Sequence, residues 1–308
     1  MNRFIRLRLL AMLLCLPFLL IFISGCGSSS QKKDEPPVYS PLQVLVPEAT
    51  GKETLGSSPM ILDVSNISQG YFIAQSDSSD LTCSLQIISP SGVLYSYFTA
   101  PGESATVTFT EGSGDYTITG YQQVQGDQYA ALYSETVTVQ LENDFLPFLY
   151  PNQYVNFTPD SKASQLALSL IDEDTVDVDA LQQIYDYVVS NLTYDYEKAD
   201  TVTTGYLPDV DETLKTGTGI CFDYAALTTA MLRSCDIPCK LQIGYAGDIK
   251  HAWIDVYIRS KGWVNQAVSF KGDTWTLMDP TFDSNSDDKE AIQDYIGDES
   301  NYTVQFTR

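Results

Sequence analysis

The chain has 308 residues, 44% hydrophobic and 12% aromatic, a globular composition long enough for two ordinary domains that excludes a disordered protein. It carries 40 Asp and Glu against 17 Lys and Arg, a formal charge of −23. Phosphate backbones need a basic face, so this balance excludes a nucleic-acid partner and fits a soluble surface that repels anionic ones.

Residues 1–25 stand apart. Arg3, Arg6 and Arg8 precede an uncharged apolar run of 15 residues, 9–23, and Ser24, Gly25 and Cys26 follow it. A basic start, a short apolar stretch and small residues at its end predict an export signal. A membrane-crossing helix needs about 20 apolar residues. This run is shorter and contains Pro17, so a permanent span is the weaker reading. The quartet Ile23-Ser24-Gly25-Cys26 resembles a bacterial lipobox, which implies cleavage before Cys26 and lipidation of its thiol. Two or more acyl chains anchor a protein stably, so the expected product is a lipoprotein held by its lipid on the extracytoplasmic face of the membrane. Removing residues 1–25 leaves 14 basic against 40 acidic residues, a formal charge of −26.

Residues 26–59 are rich in Ser, Pro, Lys and Glu with little apolar periodicity, and predict a flexible tether. Over 60–142, seven short alternating or β-branched runs (61–64, 71–74, 81–88, 93–98, 106–110, 116–121 and 129–141) alternate with turns such as Ser89-Pro90-Ser91-Gly92 and Gly126-Asp127. That pattern predicts a β-sandwich, with an immunoglobulin-like arrangement as one form it can take, acting as a spacer or binding module. Cys83 is expected in its core.

Residues 143–308 open on a loop and then change period. Leu166, Leu168 and Ile171 mark a helix over 161–172, and Leu181, Ile184, Val188 and Leu192 one over 178–192. A third helix is predicted from Cys221 to Ser234, ended by Ile237-Pro238. Strands over 240–245, 252–259, 262–270 and 274–278 follow, so the fold class is α+β. Cys235 and Cys239 flank Pro238 closely enough to bridge, or serve as small core residues.

A thiol nucleophile must ionise near neutral pH, and a helix N-terminus or a nearby imidazolium lowers a thiol from about 8.5. Cys221 sits at such a start. Gly217 and Gly219 before it allow a tight turn, and first-turn N–H groups can bind an oxyanion, the Cys221 N–H among them. His251, the single histidine, begins a strand in which Ala252, Ile254, Val256 and Ile258 take the apolar side and His251, Trp253 and Asp255 the other. Asp279 closes a strand before Pro280 and can orient an imidazole. Each also has a plain structural reading: a small helix residue, a satisfied core histidine, an Asp-Pro turn.

Taken in order, Gly217/Gly219/Cys221, His251-Ala252-Trp253 and Asp279-Pro280-Thr281 resemble the transglutaminase-like superfamily, with its papain-related core, over about residues 160–285. The resemblance implies a catalytic triad of Cys221, His251 and Asp279 acting on a carboxamide or peptide carbonyl through a thioester, with hydrolysis or transamidation both open. Tyr194 is a candidate second oxyanion donor. No cofactor or metal is expected, since Asp283, Asp287 and Asp288 lack a calcium-loop spacing. The expected partner is a peptide or protein in the cell envelope, with a non-enzymatic adhesion or scaffolding lipoprotein as the alternative.

Overall fold

The computed structural model describes residues 35–172, 174–265, 268–271, 274–277 and 302–308, which belong to one compact unit. The expected lipid site Cys26, the orienting carboxylate Asp279 and the acidic trio 283, 287 and 288 lie outside the described residues.

Eight strands come first: β1 (Thr54–Ser57), β2 (Met60–Asp63), β3 (Tyr71–Ser76), β4 (Cys83–Ile88), β5 (Leu94–Thr99), β6 (Ser104–Thr108), β7 (Gly114–Gln125) and β8 (Gln128–Val139). They form two antiparallel sheets, in the orders β1-β2-β3-β6 and β5-β4-β7-β8. Alternate residues of a strand point to opposite faces. Met60, Leu62 and Phe72 of the first sheet thus meet Leu85, Tyr97 and Ile118 of the second in one apolar cluster that also holds Cys83.

The expected tether does not extend over residues 35–59. Val44 is buried among the helices of the second half, and Leu45 against Tyr71, Leu149 and Tyr150. The Tyr39 N–H donates to Asp236 (3.1 Å), and Arg259 donates to the Pro36 carbonyl (3.1 Å). The cause lies in Leu42-Gln43-Val44-Leu45-Val46, an apolar run too short and too closely flanked by prolines to show a period.

The second half holds α1 (Lys162–Leu170), α2 (Asp177–Asn191), β9 (Thr193–Tyr194), α3 (Tyr196–Thr201), α4 (Val210–Thr216), β10 (Thr218–Gly219), α5 (Cys221–Ser234), β11 (Cys239–Ala246), β12 (Ile249–Ile258), β13 (Gly262–Val264), β14 (Val268–Lys271), β15 (Thr274–Leu277) and β16 (Tyr302–Thr307). An antiparallel sheet in the order β13-β12-β11-β16 backs α5, with α1, α2 and α4 against the helix as well. Ala225, Ala226 and Ala230 let those elements approach closely, so α5 is buried from Asp223 to Ser234. The strand expected over 262–270 is instead broken into β13 and β14. Both sides of β12 are covered: His251, Trp253 and Asp255 are buried as well as the apolar residues between them, with the Trp253 ring against Tyr302 of β16 (5.1 Å between centroids) and Asp255 accepting from Gln242 (2.6 Å).

Arg233, fully buried on α5, ties the helix to the segment that precedes α1, to the start of β11 and to the end of β16. Its guanidinium donates to the carbonyls of Cys239 (2.8 and 3.0 Å), Tyr150 (2.8 Å) and Arg308 (2.9 Å), while burial pushes its pKa down to about 10. Cys235 and Cys239 are separate free thiols, each pushed up to about 12 by burial.

Asp236 follows α5 at φ 58°, a left-handed conformation that Asn and Asp tolerate best. Burial pushes its carboxyl up to about 7, against the opposing effects of the Tyr39 N–H and Arg259, and its Oδ1 has no hydrogen-bond partner among the described residues. A carboxyl with a raised folded-state pKa binds more protons folded than unfolded, so its contribution to stability falls as pH rises from about 3.8 to about 7. Asp236→Asn is therefore expected to stabilise the protein at pH 8 by about 1–2 kcal/mol and to have no such effect at pH 4, as read by urea unfolding at both pH values.

Candidate active site

The site is built on the connection from α4 to α5. Gly217 caps α4 at φ 63°, and β10 then pairs in parallel with β9, through Thr193 N–H to the Gly217 carbonyl and Asp195 N–H to the Gly219 carbonyl (both 2.9 Å). Cys221 is the first residue of α5 and is half-buried, so its N–H lies outside the helical ladder, where an oxyanion can use it.

What holds this start in place is Asp223, wholly buried one turn in. Its Oδ2 accepts the Ile220 N–H at 2.8 Å, fixing the residue before the nucleophile. Gly219 lies so close beneath that a Cβ there would sit 2.6 Å from the Asp223 Cβ, so only glycine fits. Lys198 of α3 pairs with the same carboxylate at 2.7 Å and also reaches the Tyr206 hydroxyl (2.6 Å), which itself donates to Asp223. Burial opposes the Lys198 charge, but Asp223 and Tyr206 outweigh it and hold the ammonium above its usual range. Burial, then the bond to Asp223, pushes the Tyr206 hydroxyl up to about 12. Sequence reasoning missed this cluster; the available signal was an acidic residue at the third position of the helix, where it can accept the N-cap N–H.

The cluster carries an expected result of its own. Lys198→Met strips the cation from a buried carboxylate and should cost about 2–3 kcal/mol in urea unfolding, whereas Tyr206→Phe should cost about 1 kcal/mol.

His251 lies on β12 opposite Gly244 of β11, with its ring stacked beside Trp253 (6.3 Å, 20°). A cleft of about 720 Å³ is lined by both Cys221 and His251, and by Tyr194, Tyr206 and Phe222. The structure thus gathers the thiol, the imidazole and the Tyr194 phenol along one cleft; Asp279 falls outside the described residues. Cys83, Cys235 and Cys239 are buried elsewhere. Among the described residues no cluster of His, Cys, Asp and Glu is arranged to hold a metal, and no helix is long and apolar enough to cross a membrane.

Residues 164–280 match the family model of the transglutaminase-like superfamily. A candidate cysteine protease from Cytophaga hutchinsonii is similar in structure at 19% identity and a TM-score of 0.38, over 83% of this chain and 84% of that one. The periplasmic domain of TgpA from Pseudomonas aeruginosa is similar at 14% identity and a TM-score of 0.34, over 78% and 95%. Red sea bream transglutaminase is similar at 15% identity and a TM-score of 0.26, over 70% of this chain and 48% of its own. No curated protein matches the chain. Over residues 164–280 the chain is thus similar to the transglutaminase-like superfamily.

Proposed function

We propose that the protein is a lipid-anchored cysteine acyl-transfer enzyme that acts on peptide or protein amides in a bacterial cell envelope. The observation that carries this reading is the shared cleft: a half-buried thiol at a helix start and the chain's single imidazole line the same concavity. Cys221 Sγ attacks the substrate carbonyl while His251 takes the thiol proton, and the oxyanion is held by the Cys221 N–H with Tyr194 as second donor. His251 then protonates the departing amine and a thioester remains. Water ends the cycle as hydrolysis, or a lysine amine as an isopeptide bond. In this reading Asp279 orients the imidazole, and Cys26 carries the lipid after export. The strand orders β1-β2-β3-β6 and β5-β4-β7-β8 support taking the N-terminal half as an immunoglobulin-like sandwich.

The test runs peptide cleavage beside incorporation of a fluorescent primary amine into a glutamine peptide, using the mature protein. Either product, dependent on Cys221 and on His251, supports the enzyme. Absence of both supports the adhesion or scaffolding alternative.

A further inference from the structure

The cleft that contains Cys221 has a wall that the transglutaminase-like core does not supply. β5 is the edge strand of its sheet, and it sends Tyr95 and Tyr97 inward while Leu94, Ser96 and Phe98 line the cleft. Leu94 is 47% and Phe98 44% exposed, unusual for large apolar side chains facing a concavity. An edge strand normally also offers free backbone groups. Here three of them are taken: Gln153 both donates to the Phe98 carbonyl and accepts its N–H (3.3 Å), and the Tyr154 hydroxyl donates to the Ser96 carbonyl (2.7 Å). Around Ser96 and Phe98 strand addition would have to displace these bonds, so what this part of the edge offers the cleft is its side chains.

The lining next to the nucleophile matches in character. Phe222, next to the nucleophile, lies 6.3 Å from the rings of both Tyr154 and Tyr206. In a chain with 40 acidic residues, none of the described residues lining the cleft is Asp or Glu, while Lys250 stands beside His251. Such a surface excludes basic side chains less by shape than by leaving their charge unpaired, and it rewards burial of apolar ones.

Building on the acyl-transfer reading above, we propose that the substrate is a peptide carrying a bulky aliphatic or aromatic side chain close to the reacting amide, and that Leu94 and Phe98 of the N-terminal sheets form the wall that selects it. The N-terminal half is then part of the substrate site as well as a spacer. One apolar contact of this kind discriminates about 10-fold to 100-fold.

The test uses peptidyl chloromethyl ketones that differ only in one residue, Phe, Asp or Lys, and alkylate Cys221 with loss of chloride. Each rate is divided by the iodoacetamide rate of the same variant, so loss of nucleophile reactivity is read separately from loss of selection. The wild-type protein is expected to prefer the Phe reagent by at least about 10-fold. Leu94→Ser and Phe98→Ser, both at exposed positions, should each erase most of that preference while the iodoacetamide rate stays unchanged. Equal ratios for all three reagents, or a preference unaltered in both variants, would overturn the proposal. A preference for the Asp reagent would overturn it too, by assigning selection to Lys250. Slow iodoacetamide labelling in the wild type would instead count against the enzyme reading, while the ratios still report on the wall.

Discussion

Cys221→Ala is expected to remove acyl transfer, lowering turnover by at least about 10⁴-fold, as deletion of a covalent nucleophile does elsewhere. The fold should be untouched, because the helix start depends on other atoms. Asp223 fixes the Ile220 N–H, Gly219 gives it room, and the β9–β10 pairing holds the approach, none of which uses the thiol. The check is paired: peptide cleavage and amine incorporation on one side, the thermal midpoint on the other. A large shift in midpoint would mean that Cys221 is a packing residue, and retained turnover would remove it from the chemistry.

The largest stability effect is expected at Arg233. Replacing a buried ion pair by apolar residues is often neutral, because both charges leave together. Arg233 differs in that its guanidinium donates to the main-chain carbonyls of Cys239 and Tyr150 and to the main-chain oxygen of Arg308, which no side-chain substitution removes. Arg233→Met fills much of the volume yet takes the guanidinium donors from the buried Cys239 and Tyr150 carbonyls, at about 1–3 kcal/mol each where water cannot reach, while the Arg308 oxygen keeps the Leu241 N–H (2.9 Å). A total loss of about 3–5 kcal/mol in urea unfolding is expected. A loss under about 1 kcal/mol would show that solvent reaches those carbonyls and that the joint is incidental.

The sequence made legible whatever is local. The helix predicted from 221 to 234 coincides with α5, since a small-residue helix bounded by two glycines before and Ile237-Pro238 after leaves little freedom in its ends. Each of the seven runs expected over 60–142 overlaps a strand. Cys221 and His251, 30 positions apart, were singled out by chemistry and do line one cleft. What was not legible depends on distant partners. Lys198 looks like any surface lysine until α3 folds back onto Asp223. Arg233 looks like a C-terminal helix charge until it meets the carbonyls of Tyr150, 83 positions away, and Cys239. Leu94 and Phe98 read as ordinary strand residues, and only the approach of the two halves turns the outer side of β5 into a wall of the cleft. The run 42–46 was hidden by its prolines, and its partners lie far along the chain.

The central claim is that the imidazole of residue 251 serves the sulfur of residue 221, and the pH dependence of thiol alkylation tests it most directly. Because Cys83, Cys235 and Cys239 are buried, the comparison is made on Cys221 itself: with iodoacetamide at pH 6.5 it is expected to react at least about 10-fold faster in the wild type than in folded His251→Ala, the difference closing above about pH 9. A Cys221 rate at pH 6.5 that is the same with and without His251 would contradict the account.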